Sequence, residues 1–263
     1  MGGGKYMKKV INWLCALLIL VTVAGCGSSS QQSAAPTKKE LTVGTESGFA
    51  PFEFPDEKNG DYIGFDIDLI KAMGKQAGYD KVTVKSMGFD ALIPALNAGN
   101  IDAAIAGMSI TDERKKQVDF TDAYYESGLA VLTMKDNTTI HGVNDLKGKT
   151  IAVQLGTTGA QEAEKIQGAK VKTFDTSDAA CLEMKNGNAD AVISDLPVLQ
   201  YFLKQGGSAY AKIVGNPKKG DFYGIAVSKK NAALTQELNK ALGELKKNGE
   251  YQKIYDKWFS EKK

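Results

Sequence analysis

Short apolar segments and amphipathic segments alternate along most of the chain. Apolar residues run together or alternate in segments typical of strands, and they recur every three or four positions in segments typical of helices. The predicted strands are residues 41–44, 82–84, 101–108, 150–153, 171–174 and 189–194; the predicted helices are residues 65–76, 89–97, 158–166, 179–185, 196–204, 232–247 and 250–259. Two strand–helix series of this kind predict an α/β protein with two lobes and mainly parallel sheets.

Two further apolar segments predict how the lobes are joined. Residues 128–134 follow the first series and residues 222–227 follow the second. A chain that crosses to a second lobe and returns by a neighbouring strand makes a two-strand hinge. We therefore expect a discontinuous first lobe (residues 40–130 and 226–263) and a second lobe (residues 131–225). Ligand pockets favour such interfaces, near the carboxyl ends of parallel strands.

The N-terminus has the pattern of a bacterial lipoprotein signal. The basic segment Met7-Lys8-Lys9 precedes a mostly apolar run, residues 13–23, which is shorter than the ~20 residues that a membrane span needs. The following Val23-Ala24-Gly25-Cys26 resembles a lipobox, in which Cys26 carries the lipid. A plain signal peptide with a chance cysteine is the alternative. We predict a signal peptide (1–25), a flexible tether (26–39) and an extracytoplasmic protein anchored to the membrane through Cys26.

Composition and charge exclude several function classes. The chain has 263 residues, of which 43% are hydrophobic and 24% charged, as in globular proteins. Its net charge of +2 comes from the three lysines of residues 1–25, and the remainder is nearly neutral. No basic surface for nucleic acid is therefore expected. The single histidine, His141, excludes a multi-histidine metal site and disfavours Ser/His catalysis, so we predict no metal, no cofactor and no enzyme activity. Cys181 is expected to be a buried apolar residue.

Short motifs occur in a fixed order through residues 40–260. They are Val43-Gly-Thr-Glu-Ser-Gly-Phe-Ala-Pro-Phe-Glu-Phe54, Gly64-Phe-Asp-Ile-Asp-Leu69, residues 89–96, residues 105–114, residues 119–122, Gly156-Thr-Thr158, residues 189–195 and residues 251–259. Together they resemble the solute-binding proteins (family 3) of ABC importers for polar and basic amino acids. The resemblance implies a type II periplasmic-binding-protein-like fold, a monomeric two-lobed clamshell. It also implies a free L-amino acid as ligand, and an ABC permease with its ATPase subunits as partner.

An α-amino acid needs a cation for its carboxylate and an anion for its ammonium group. Arg114 is the only arginine, and its planar guanidinium matches a carboxylate; an exposed helix arginine is the alternative. Asp195 follows an apolar strand and is the candidate for the ammonium group; a helix N-cap is the alternative. Thr111-Asp112-Glu113 resembles a helix start, so the turn from Gly107 to Thr111, which includes Met108 and Ser109, can direct backbone N–H groups at an anion. Thr158, with Thr157, would add contacts from the second lobe, or cap a helix.

The resemblance also assigns residues to the ligand side chain. Phe49 and Phe89 match positions whose rings enclose that side chain, although a phenylalanine taken alone is more often a core residue. Glu46 stands where relatives that bind basic or amide side chains have an acid; a solvent-facing strand end is the alternative. Gln154 stands where glutamine-selective relatives have a lysine. Because a buried anion without a nearby cation favours a positive charge, we predict arginine, lysine or histidine, with glutamine second.

One alternative comes from another function class. Cyclohexadienyl dehydratases share the fold that the resemblance implies, and such an enzyme needs an acid or base in the cleft. Glu46 and Asp195 supply carboxyl groups, but His141 lies in the loop-like segment 137–147, away from every motif. These observations favour a binding protein.

Overall fold

The computed structural model describes residues 40–260, so the predicted signal peptide, Cys26 and the tether lie outside the described residues. The strands in this range are β1 Leu41–Thr45, β2 Phe54–Pro55, β3 Tyr62–Ile63, β4 Val82–Ser86, β5 Ala103–Ala104, β6 Val118–Phe120, β7 Tyr125–Met134, β8 Thr150–Gln154, β9 Lys170–Phe174, β10 Ala191–Asp195, β11 Ala211–Tyr223 and β12 Ala226–Ser228. The α-helices are α1 Phe65–Gln76, α2 Leu92–Ala98, α3 Asp112–Gln117, α4 Thr158–Glu164, α5 Ser177–Lys185, α6 Leu196–Lys204, α7 Ala232–Lys247 and α8 Glu250–Phe259.

Two five-stranded sheets form the centres of the two lobes. The first has the order β4-β1-β5-β12-β6 and the second β11-β7-β10-β8-β9. β1 pairs in parallel with β4 and β5, and β8 pairs in parallel with β9 and β10. Helices between these strands supply the crossovers that parallel pairing requires. All five residues of β10 are buried, as is typical of a strand covered on both faces.

The prediction of mainly parallel sheets is right only for these crossover-linked strands. β12 pairs antiparallel with β5 and β6, and β7 pairs antiparallel with β10 and β11. The reason is that β7, β11 and β12 carry the chain between the sheets without a crossover helix. The predicted strand 101–108 shortens to β5, and the predicted strand 222–227 is interrupted between β11 and β12.

Helix faces and the buried thiol agree with the sequence pattern. Phe65, Leu69 and Met73 of α1 are buried, as predicted from their spacing. Cys181 is a buried free thiol in α5, also as predicted. Between residues 40 and 260, no helix combines the length and apolar character needed to cross a bilayer. The predicted lobe boundaries at residues 130/131 and 225/226 stay a prediction.

Two neighbouring segments cross between the sheets, residues 121–125 and 223–226. The Thr121 N–H donates to the Ile225 carbonyl (3.0 Å) and the Tyr124 N–H to the Tyr223 carbonyl (2.9 Å). Aromatic rings fill the space beside this hinge. Phe52, which is fully buried, contacts Tyr125, Tyr223 and Phe259 at ring-centroid distances of 4.9, 5.2 and 5.4 Å. The same ring therefore packs on both crossing segments and on the end of α8.

Replacing Phe52 by alanine is expected to lower the free energy of unfolding by about 3–5 kcal/mol, because a large ring is removed from a closed core. Phe222→Ala is the control, since that ring is 43% exposed. Urea unfolding of the two variants and the wild type measures the difference. Equal losses in the two variants would contradict the central role of Phe52.

Candidate ligand-binding site

The predicted ligand residues lie at ends of elements in both lobes, where strands stop and helices begin. In the first lobe they follow β1, β4 and β5 or lie in α3: Glu46, Phe49, Phe89, Gly107, Met108, Ser109 and Arg114. In the second lobe they end β8 or β10 or begin α4: Gln154, Thr157, Thr158 and Asp195. All are buried except Thr157 and Thr158, which are half-buried. Carboxyl ends of parallel strands are the usual place for ligands in α/β folds.

Arg114 connects the two lobes. Its Nη1 donates to the Ser109 carbonyl (2.8 Å) and its Nη2 to the Gly156 carbonyl (3.0 Å). The guanidinium carbon lies 5.1 Å from the centroid of Phe89, within cation–π distance. Only 6% of Arg114 is exposed, so the alternative of an exposed helix arginine is wrong. Burial lowers the pKa of Arg114, and the charges of Asp221 and Asp195 oppose that shift.

Thr111 determines where α3 begins and therefore where Arg114 is placed. Its side chain accepts a hydrogen bond from the Arg114 N–H (3.2 Å), as an N-cap does. The sequence pattern of a threonine followed by two acids predicted this helix start. The helix is only six residues long, so Arg114 lies within its first turn, directly after the Gly107–Ser109 turn.

Asp195 is attached to the hinge. Its Oδ1 accepts hydrogen bonds from the Tyr223 hydroxyl (2.7 Å) and the Ser127 hydroxyl (3.2 Å). Asp195 occupies the N-cap position of α6, as the alternative has it, but its side chain makes no capping hydrogen bond. Burial is the main cause that raises the pKa of Asp195 to about 7, and the charge of Asp221 adds to it. Tyr223 and Ser127 were not among the predicted site residues, because they lie 28 and 68 positions away from Asp195 in the chain.

The two threonines at the start of α4 have different roles. Thr157 is the N-cap: its Oγ1 accepts from the Ala160 N–H (3.1 Å) and donates to the Gln154 carbonyl (2.8 Å). A ligand contact by Thr157 stays a prediction. Thr158 does not cap the helix. Its Oγ1 lies 3.4 Å from the Ser109 hydroxyl of the other lobe and donates to Asp221 Oδ2 (3.2 Å).

Glu46 is a buried acid with an unpaired oxygen. It is 2% exposed, so the solvent-facing alternative is wrong, and its Oε2 has no hydrogen-bond partner among the described residues. Burial raises the pKa of Glu46, while N–H groups of Gly48 and Ser47 and the side chain of Gln154 oppose the shift. Gln154 also donates to the Asp175 carbonyl (3.0 Å). Since an amide is neutral, Gln154 leaves the charge of Glu46 uncompensated.

Gly107 fits closely against Phe49. It has φ +51°, and a Cβ on it would lie 2.4 Å from a ring carbon of Phe49, so only glycine is accommodated. Its N–H donates to Asp66 Oδ2 (2.8 Å), and the Ile110 N–H donates to the Phe222 carbonyl (2.8 Å). For these two N–H groups the predicted direction toward a ligand anion is wrong, because internal acceptors already bind them.

A pair of buried acids supports this turn. Asp66 and Glu53 are both 0% exposed, and Asp66 Oδ2 also accepts from the Tyr124 hydroxyl (2.7 Å). Burial raises the pKa of Asp66 to about 6 and that of Glu53 well above its ordinary value, with Asp66 as the next cause. Burial and the charge of Asp66 therefore both favour the protonated form of Glu53. The sequence signal for this missed pair was two acids inside otherwise apolar motifs.

The fold and the site together define a two-lobed binding protein with charged groups buried between its lobes. Within residues 40–260, no group of three or more His, Cys, Asp or Glu side chains is arranged to hold a metal ion. The family of bacterial extracellular solute-binding proteins, family 3, matches residues 41–261, and the chain belongs to this family. Membership confirms the predicted family and the extracytoplasmic location.

Individual relatives agree with the family over the full length of the described chain. The ABC transporter arginine-binding protein 1 of Escherichia coli (strain K12) is 40% identical over 258 residues, which are 96% of this chain and 99% of the relative. A solved ancestral arginine-binding protein bound to arginine is 51% identical with a TM-score of 0.82, and the match covers 85% of this chain and 100% of that one. An ancestral arginine-binding protein bound to glutamine is 50% identical with a TM-score of 0.79, over 86% and 100% of the two chains.

The raised pKa of Asp195 predicts a pH-dependent stability. The unfolded chain releases this proton near an ordinary Asp pKa, whereas the folded protein keeps it up to about pH 7. Stability of the ligand-free protein therefore falls as pH rises from about 4 to 7. Asp195→Asn removes the cost of ionising this buried carboxyl group. We expect the substitution to raise the free energy of unfolding by about 2–4 kcal/mol at pH 8 and to change it little at pH 4. Denaturant unfolding at both pH values measures this; an equal effect at the two would contradict it.

Proposed function

We propose that this protein binds a free basic L-amino acid, arginine in the first place, between its lobes and delivers it to an ABC permease with its ATPase subunits. The observation that carries the proposal is Glu46, a buried acid whose Oε2 has no partner among the described residues. An anion in such a place is stabilised by a cationic ligand side chain, because desolvating it alone costs several kcal/mol. Relatives named for arginine binding support the same reading.

The α-carboxylate of the ligand is assigned to Arg114. The guanidinium now donates to two neutral carbonyl groups, from Ser109 and Gly156, which leaves its charge without a directly bonded anion among residues 40–260. A carboxylate on Arg114 forms charge-assisted hydrogen bonds, which are roughly twice as strong as neutral ones. Thr158 and Ser109, whose hydroxyl groups are 3.4 Å apart, supply further donors at the same place.

The α-ammonium group is assigned to Asp195. The hydroxyl groups of Tyr223 and Ser127 both donate to Oδ1 of Asp195 from the hinge, and they hold its carboxylate in one orientation. A cation beside Asp195 would lower its pKa from about 7 and favour the charged form at neutral pH. Ligand binding and proton release from Asp195 are therefore coupled below about pH 7.

The side chain of the ligand is assigned to Glu46, Phe49, Phe89 and Gln154. The two rings offer apolar faces to an aliphatic stem, and Glu46 supplies the charge beyond it. Lysine and histidine satisfy the same requirement less fully, because arginine has more N–H donors. Glutamine is the second ligand, since its amide can pair with Gln154 and with Glu46.

The remaining parts of the proposal concern attachment and chemistry. We propose that Cys26 carries the lipid anchor, that residues 26–39 are the tether, and that the protein acts as a monomer. We propose binding without catalysis, because Asp195 and Glu46 are both used to hold the ligand. Recovery of L-arginine and prephenate unchanged after incubation tests this, and turnover of either compound would contradict it.

Replacing Glu46 by glutamine is expected to weaken L-arginine binding by about 100-fold and L-glutamine binding by only a few-fold. The reason is that removing one partner of a buried hydrogen-bonded charge pair costs about 2–5 kcal/mol, whereas an amide ligand loses little. Isothermal titration calorimetry with both amino acids measures the dissociation constants. Glu113→Gln, an exposed position in α3, is the control. Equal losses for the two ligands would contradict the assignment.

Arg114→Lys is expected to weaken the binding of L-arginine and of L-glutamine by the same factor, about 100-fold, because both ligands have the α-carboxylate. The lysine side chain of the variant lacks the planar guanidinium and cannot make both carbonyl contacts that position Arg114. The same calorimetry applies, and Lys115→Ala on the exposed side of α3 is the control. A variant that binds both amino acids as tightly as the wild type would refute the carboxylate assignment.

A further inference from the structure

Asp221 is directed toward the site by an irregularity in β11. The pairing of β11 with β7 shifts register between Lys219 and Asp221, and the extra residue Gly220 has φ +89°. Bulges of this kind redirect side chains and are frequent beside functional sites. Beyond the bulge, Asp221 and Tyr223 are two positions apart and lie on the same face of the strand. That face contacts Asp195 through the Tyr223 hydroxyl.

Asp221 belongs to the same chain of contacts as Arg114. Its Oδ2 accepts the hydrogen bond of Thr158 Oγ1 (3.2 Å), which lies 3.4 Å from Ser109 Oγ. The Ser109 carbonyl in turn accepts from Arg114 Nη1 (2.8 Å). The charge of Asp221 raises the pKa of both Arg114 and Asp195, which places it within electrostatic range of both.

The charges of the site leave Asp221 without a ligand partner. The buried acids of the site are Glu46 and Asp195, Asp221 is half-buried, and the buried cation is Arg114. Lys165, Lys218 and Lys219 line a cavity with Asp221, and the first two are paired with Glu162. Bound arginine brings two cations, which pair with Glu46 and Asp195 in the proposed function, and one carboxylate, which pairs with Arg114. Asp221 is then the extra anion, beside the ligand's own carboxylate. Two carboxylates that share a site repel each other.

Resting on the proposed function, we propose that Asp221 competes with the ligand's α-carboxylate for Thr158 and Arg114, and so weakens the binding of every amino acid. Thr158 has a single O–H donor, which now serves Asp221. A ligand carboxylate that takes this donor breaks the bond to Asp221 and approaches its charge. Because all amino acids carry the α-carboxylate, this competition is independent of the selection by Glu46. It limits affinity in a protein that must release its ligand again.

Asp221→Asn tests the proposal with little change in shape, since the amide oxygen still accepts from Thr158. The wild type and the variant are titrated calorimetrically with L-arginine and with L-argininamide, in which a neutral amide replaces the carboxylate. We expect the variant to bind L-arginine about tenfold more tightly, as removal of a like charge at close range implies. L-Argininamide should bind the variant no more tightly than the wild type. Asp136→Asn, an exposed position after β7, is the control and should change neither.

Two outcomes would overturn the proposal separately from the proposed function. If the wild type binds L-arginine and Asp221→Asn binds it equally or more weakly, Asp221 is not a competitor and the proposed function stands. If L-argininamide gains as much as L-arginine, the effect does not act through the carboxylate. If the folded wild type binds neither L-arginine nor L-glutamine, the proposed function itself fails. Asp221→Ala, which also removes the acceptor for Thr158, should show at least the same gain for L-arginine.

Discussion

The buried guanidinium of Arg114 is the interaction that joins the two lobes at the site. It donates to a carbonyl of each lobe, at Ser109 and at Gly156, and stacks on Phe89. The approach of the lobes requires Gly156 to be a glycine: it has φ +75°, and a Cβ there would lie 3.1 Å from Asp90. Carbonyl groups satisfy the donors of Arg114 but not its charge. An anion bound between the lobes would therefore stabilise the buried positive charge of Arg114.

The site contains groups that individually oppose folding. Burial raises the pKa of Glu46, Asp195, Glu53 and Asp66, which means that each charged form is disfavoured in the folded protein. The aromatic cluster around Phe52 includes Tyr223, whose hydroxyl donates to Asp195, and it buries large apolar surfaces. The aromatic cluster therefore stabilises the protein close to the buried acids, which destabilise it. Such a conflict between stability and activity is common at functional sites.

Local sequence patterns could predict only part of this structure. The helices α1 and α7 and the buried strand β10 follow from apolar spacing, since burial of one face is a local property. β11 could not be found in this way, because residues 211–221 are mostly polar and become a strand by pairing with β7. The supports of the site are likewise non-local. Gly107 reaches Asp66 over 41 positions and Asp195 reaches Tyr223 over 28, and no periodicity encodes such pairs.

In the proposed function, the hinge and the ammonium position share one carboxylate, Asp195, which connects binding to closure. Asp195 accepts from Ser127 on the outgoing strand β7 and from Tyr223 on the returning strand β11. A ligand shifts a two-state protein only by its differential affinity for the two states. A ligand that fixes the charge and orientation of Asp195 strengthens its hydrogen bonds to both hinge strands, because charge-assisted hydrogen bonds are stronger than neutral ones. Preference for the closed state therefore arises at the hinge itself as well as at contacts between the lobes.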